Sequence, residues 1–173
     1  WMHTHQDMKE IRYIQANMLE KGSNQWVQSV PQLRLISLRD EGQVRAEALY
    51  LIGQVYSEYG TQMDGIELWS NFIRAFPELS SKTDVVDMLW GQYRERVLAL
   101  NRSQYWLRIA ETHQVGWVPE LRSRIDDPDI LPIVAQSFEE LGLSERALHV
   151  LASDFGVGAH KSFYAPEAEM YLA

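Results

Sequence analysis

Five histidines, His3, His5, His113, His149 and His160, are the first residues to examine for chemistry. Imidazole serves as a general base or metal ligand when its partners stand at set spacings. No H-E-x-x-H string occurs, and neither a Gly-x-Ser-x-Gly elbow nor a P-loop is present. His3 and His5 could hold a metal adventitiously, but a frayed chain end accounts for them better. His113 and His149 fall late in expected second helices, where a partly charged imidazole suits the negative end of the dipole. Cysteine is absent, which removes disulfides, thiolate zinc sites and a thiol nucleophile. Asp126-Asp127-Pro128-Asp129 has the charge of a calcium loop but lacks its alternation and its distal glutamate. A turn leading into a helix N-terminus explains that string better. Arg94-Glu95-Arg96 and Arg122-Ser123-Arg124 interleave or adjoin acids and fit solvated helix faces better than a phosphate site. No catalytic residue, metal or cofactor is therefore expected.

The chain has 173 residues, 46% hydrophobic and 23% charged, enough to build a real core. Its formal charge of −8 makes nucleic acid a poor partner, because phosphate binding needs clustered Lys and Arg. No apolar run is long enough to cross a bilayer, so membrane insertion of this segment is not expected. Period-2 alternation of β-branched residues is missing, and Pro and Gly fall between helical stripes. The expected fold is all-α.

Two stretches repeat. Leu49 to Gly60 aligns with Leu131 to Gly142, pairing Gly53 with Ala135, Gln54 with Gln136, Tyr56 with Phe138 and Glu58 with Glu140. The match continues as Gly65 with Ala147, Ile66 with Leu148 and Trp69 with Leu151. Leu49, Ile52, Gly53 and Tyr56 share one helical face. Gly60 is placed for a left-handed helix end. Thr61 and Asp64 have capping-box spacing. Trp69, Phe72, Ile73 and Phe76 form the stripe of a second helix, which Pro77 ends. Small Gly65 is expected to approach the first helix beside Gly53.

This order resembles the tetratricopeptide repeat, with Leu49, Ile52, Gly53, Tyr56, Gly65, Trp69, Phe72 and Pro77 at the family's positions. Leu49 replaces the usual Trp, and Phe72 the usual Ala. A weaker unit sets Trp90-Gly91 on Ile52-Gly53, with Ser103, Leu107 and Ala110 following, and Asn101 with Gln104 as a cap. Gly53, Gly91 and Ala135 stand further apart than the family's repeat of about 34 residues. The surplus falls at Pro77 to Thr83 and at Gly116 to Asp129, where a short helix over Glu120 to Ile125 is expected. An earlier hairpin uses Ile11, Ile14 and Met18, a turn at Gly22-Ser23-Asn24, then Trp26, Val30, Leu33 and Ile36. Pro31 should start or kink its second helix. The expected architecture is one tetratricopeptide-like α-solenoid of stacked antiparallel hairpins over 4–40, 43–77, 84–115 and 129–159. A further repeat begins at 166–173, so the chain reads as a piece of a longer protein.

The resemblance implies a concave groove lined by first helices. By register it holds Glu47, Tyr50, Gln54, Ser57 and Glu58, then Val85, Met88, Gln92, Glu95 and Arg96, then Asp129, Pro132, Gln136, Glu139 and Glu140. Gln54, Gln92 and Gln136 form a column able to donate to and accept from an extended peptide. Exposed helix-favouring residues would give the same pattern. Acids outnumber the single Arg96, which favours a basic or neutral segment of another protein. The family's chaperone-tail clamp needs Lys and Asn where this chain has Tyr50, Met88 and Pro132, or Ser57, Glu95 and Glu139, so that activity does not carry over. Trp69, Trp90 and Trp106 are expected in the core, and Trp117 in the insert is the aromatic expected to be exposed. The expected role is a non-catalytic interaction scaffold. Two alternatives are the helical region of a larger enzyme and a peptide-sensing regulator. Tyr-Leu-Ile-Gly followed by Phe-Pro leans the resemblance toward bacterial cell-envelope members, which implies a periplasmic setting.

Overall fold

A computed structural model describes residues 2–156 apart from 22, 82 and 125–128. The described residues form helices joined by short turns, with no strand among them. The expectations at Gly22, Ile125 to Pro128, His160 and Pro166 to Ala173 lie outside the described residues. The chain divides into two compact units, Trp1–Lys82 and Thr83–Ala173.

In the first unit α1 (Met2–Lys21) packs on α2 (Ser23–Arg39), α2 on α3 (Gly42–Tyr59), and α3 on α4 (Gln62–Ala75). Helix α1 also reaches α3. The shared core takes Ile11, Ile14 and Met18 from α1, Leu33 and Ile36 from α2, and Val44, Ala48, Leu51, Ile52 and Val55 from α3. Each such side chain stabilises by roughly 1.5–3 kcal/mol on burial. Helix α2 continues through Pro31, which lies in its middle and does not start it. Burial of Leu33 and Ile36 beyond it offsets the roughly 3 kcal/mol that an interior proline costs a helix.

Thr61 and Asp64 form the expected capping box, with Asp64 N–H donating to Thr61 Oγ1 at 3.2 Å and Thr61 N–H to Asp64 Oδ2 at 3.3 Å. Gly60 has another role than expected. Its φ of −88° is ordinary, and glycine is needed because a Cβ would lie 2.8 Å from the Tyr56 carbonyl oxygen. Gly53 is buried face to face with Trp69, and a Cβ there would overlap the indole ring. Gly65 is buried on the opposing helix. Helix α4 ends at Ala75, and Pro77 opens a single turn, α5 (Pro77–Ser80).

In the second unit α6 (Val85–Arg102) packs on α7 (Trp106–Gly116), α7 on α8 (Ile130–Glu140), and α8 on α9 (Ser144–His149). Helix α6 also meets α8 and the 3-10 turn Pro119–Arg124, which holds buried Leu121 where a short helix was expected. Helix α9 continues as a π-turn, Val150–Asp154, closed by Phe155 N–H donating to the Val150 carbonyl at 2.9 Å. Gly142, at φ 73°, makes the left-handed step between α8 and α9.

The middle register departs from expectation. Helix α6 buries Val86, Leu89, Trp90, Tyr93 and Val97, while Gly91 is exposed with open space around its missing side chain. Leu107 is 57% exposed, and Ile109, Ala110, Thr112 and His113 form the buried face of α7 instead. Asn101 caps nothing at the start of α7; it lies inside α6, and Gln104 takes a positive φ of 54° in the turn. The helix start shifts to Trp106 because Ser103 to Tyr105 are used in that turn.

Candidate functional site

Helix α3 has three faces. Val44, Ala48, Leu51, Ile52 and Val55 face the core shared with α1 and α2. Tyr50, Gly53 and Ser57 face α4: Tyr50 lies edge-on to Trp69 at 5.5 Å, and Ser57 Oγ accepts from Trp69 Nε1 at 2.9 Å. Tyr50 and Ser57 therefore belong to the α3–α4 seam rather than to an open groove. What remains is a polar stripe of Glu47, Gln54 and Glu58, with Gln43 donating to Glu47 at 3.0 Å.

In the second unit Val85, expected in the groove, is instead fully buried at the start of α6, and others of the expected set lie on the less buried faces of α6 and α8. Met88, Gln92 and Arg96 are half-buried and Glu95 is exposed; Gln136 and Glu139 are half-buried and Glu140 is exposed. Several are already paired. Arg96 Nε donates to Thr112 Oγ1 at 3.0 Å, so this cation leans on α7. Burial, then the neighbouring Arg108, pull its pKa below the usual guanidinium value. Glu139 accepts from Ser144 Oγ at 2.8 Å, and Glu140 from Gln136 at 3.5 Å. The Oε1 atom of Gln92 is covered and has no hydrogen-bond partner.

Trp117 is not an exposed anchor. It is half-buried, stacked at 5.3 Å on His113 and 4.7 Å from the Phe155 ring, with Tyr93 beside it. These rings surround the residue that the sequence undervalued. His113 lies in the last turn of α7, as expected, but it is 1% exposed. Its Nδ1 is 2.8 Å from the Tyr93 hydroxyl, and its Nε2 is 2.9 Å from Asp154 Oδ2. An ionised carboxylate only accepts, so Nε2 carries the proton, and Nδ1 accepts from the tyrosine hydroxyl. Burial lowers the His113 pKa, although Asp154 pulls the other way. Burial also raises the Asp154 carboxyl, but the bond and charge of His113, then His149 and Arg146, outweigh it and leave the group below the usual carboxylate range. Tyr93 is pushed well above its ordinary value by burial and then by Asp154.

An Asp–His–Tyr order has the connectivity of a proton relay, but Tyr93 is fully buried and no substrate can reach its oxygen. The array joins α6, α7 and the π-turn instead. Among the described residues no group of three or more His, Asp or Glu is placed to hold a metal ion, and no helix is long and apolar enough to cross a membrane. A shallow surface hollow of about 530 Å³ opens beside Leu143, Ser144, Arg146 and His149. Apolar side chains that the sequence stripes did not mark stand free on α1 and α2, namely Tyr13, Leu35 and Leu38. No family model, curated protein or solved structure matches the chain.

Proposed function

We propose that this chain is a non-catalytic interaction scaffold of tetratricopeptide character, which holds a basic or neutral segment of another protein against first-helix faces. The observation that carries the reading is the contact between α6 and α8 within the second unit. First helices of successive hairpins that touch bring their outer stripes side by side, which is how hairpin repeats build a peptide-binding surface. Gln92 and Glu95 on α6 then neighbour Gln136, Glu139 and Glu140 on α8. The unmet Oε1 of Gln92 can accept a peptide N–H after a side-chain rotation. The first unit repeats the plan, with α1 against α3 and Glu47, Gln54 and Glu58 on the outer stripe. The pairing of Arg96 with Thr112 leaves the acids on these stripes less balanced than the sequence count suggests. The resemblance of Tyr50 to Pro77 to cell-envelope repeats supports a bacterial periplasmic setting.

The test is kinetic. A partner captured with the full-length protein should associate about tenfold more slowly with the Glu95→Lys, Glu139→Lys double variant, and its rate should lose most of its salt dependence. A partner whose association and salt slope are unchanged uses another surface, and the groove reading fails.

A further inference from the structure

The second unit contains a buried polar chain that the scaffold reading does not use. Tyr93 on α6, His113 on α7 and Asp154 at the end of the π-turn are joined at 2.8 Å and 2.9 Å. The same turn is held by a second hand. Arg122, from the 3-10 turn, donates through Nε to the Asp154 carbonyl at 2.9 Å and through Nη2 to the Ser153 carbonyl. Phe155 closes over the histidine, stacked on His113 at 5.6 Å and meeting Trp117. Asp154 ends this widened turn, and single π-turns are frequent at functional sites.

The chain of donors works for one protonation state only. With neutral His113, Tyr93 donates to Nδ1 and Nε2 donates to Asp154. Adding a proton at Nδ1 sets two donors face to face. The hydroxyl of Tyr93 can turn to accept, but its own hydrogen then points into a fully buried shell. The new cation lies among Trp117, Phe138 and Phe155. The charged or titratable groups facing it are Tyr93 from α6, Arg146 from α9 and Asp154 from the π-turn, with His149 beside Asp154 and Arg122 on that turn's carbonyls. Asp154 attracts the added charge and Arg146 repels it.

We propose that the Tyr93–His113–Asp154 chain is an acid-operated latch: neutral His113 clasps the π-turn to α6 and α7, and protonation of its Nδ1 releases that turn. Released together, Val150–Phe155 uncover Trp117, Phe138 and the floor around His113. The latch gives a binding scaffold of this type a surface that exists only in mildly acidic surroundings.

Hydrogen exchange and histidine ring NMR on the whole chain test it. Between about pH 7.5 and pH 5, backbone amides of residues 151–155 should lose protection by about tenfold or more after correction for intrinsic exchange, while amides in α3 keep theirs. The ring nitrogens of His113 should report the Nε2–H tautomer at the upper pH and titrate at the midpoint of that loss. His113→Gln keeps one donor toward Asp154 and one acceptor toward Tyr93 but cannot titrate, so protection in this variant should stay flat with pH. Unchanged protection in the parent chain overturns the latch. So does a pH response that persists in His113→Gln. If that variant does not fold, the parent decides alone, and separate midpoints for the ring and the amides overturn the proposal.

Discussion

Hairpin α3–α4 and hairpin α6–α7 each seat a second helix on a first, and their seams differ in kind. The first seam is a close approach, with Gly53 packed against the Trp69 indole and the indole N–H donating to Ser57 at its edge. The second is polar at its centre and closes through Tyr93, His113 and Thr112, the last holding Arg96. The glycine contact is indifferent to pH, because neither Gly53 nor Trp69 titrates. A histidine seam is not. The difference shows that one hairpin plan can be made permanent or conditional by a few residues at its centre.

The comparison breaks most visibly at the two glycines that the repeat pattern would equate. Gly53→Ala places a methyl inside the Trp69 ring and should destabilise by about 3 kcal/mol. Gly91→Ala meets open space on an exposed helix face and should stabilise by about 0.5–1 kcal/mol. Urea unfolding of both variants measures this. Equal effects would mean that the two seams are alike after all.

The next effect concerns the polar seam. His113→Leu fills the space with an apolar group and leaves the Tyr93 hydroxyl without its acceptor and Asp154 without its donor. A buried group stranded in this way costs about 1–3 kcal/mol, so a loss near 2 kcal/mol is expected at pH 7.5. The parent chain carries a pH signature that this variant lacks. A histidine whose folded pKa is lowered contributes stability that is full above the unfolded value, near 6.5, and lost as pH falls through the folded value. Melting the parent between pH 7.5 and pH 5 should show that decline, and the gap between parent and variant should close toward acid. A gap that stays constant would show that His113 acts through packing alone.

Legibility in the sequence followed distance along the chain. The capping box of Thr61 and Asp64, the stop before Pro77 and the burial of Gly53, Gly65 and Trp69 all rest on neighbours within a hairpin, where helical spacing dictates who meets whom. Helix spans were legible for the same reason, but the register did not carry every expected groove residue outward, since Val85 on α6 is fully buried. The middle hairpin misled because Trp90-Gly91 copies the order of Ile52-Gly53 but not its orientation. Leu89, Trp90 and Tyr93 turn inward together, and Gly91 is carried outward. The place of His113 in the last turn of α7 was legible, but its pairing was not, because its acidic partner lies 41 positions further on and no local spacing joins His113 to Asp154. Trp117 was misplaced for a like reason, since the rings that cover it come from α6, α7 and the end of the π-turn. Pro31 misled in another way: local propensity spoke against a continuous helix, and core burial on either side prevailed.

The smallest effect sharpens the comparison from the other unit. Asp7 on α1 is 5% exposed and accepts from Arg39 at 2.7 Å through Oδ1, while its Oδ2 is covered without a donor and the Asp40 carboxyl at the end of α2 acts on it. Two carboxyl groups can bond to each other only if one keeps a proton. A bond of that kind to Asp40 comes first among the causes that raise the Asp7 pKa, with burial and the charge of Glu10 adding to it and Arg39 opposing. A raised folded pKa contributes stability that is full below the unfolded value, near 3.9, and lost as pH rises through the folded one. The sign is therefore opposite to that of His113: acid tightens the α1–α2 junction where it loosens the π-turn. Asp7→Asn should act as a permanently protonated stand-in, its amide donating to Asp40 at every pH. The variant should be slightly more stable than the parent at pH 7 and no more stable at pH 3. The size stays modest because Arg39 is half exposed and solvent screens the group. Amide exchange in α1, followed in the same samples as residues 151–155, separates the two responses. If α1 and the π-turn gained or lost protection in the same direction as pH falls, the two junctions would not be opposed, and the contrast in sign between the two units would have to be withdrawn.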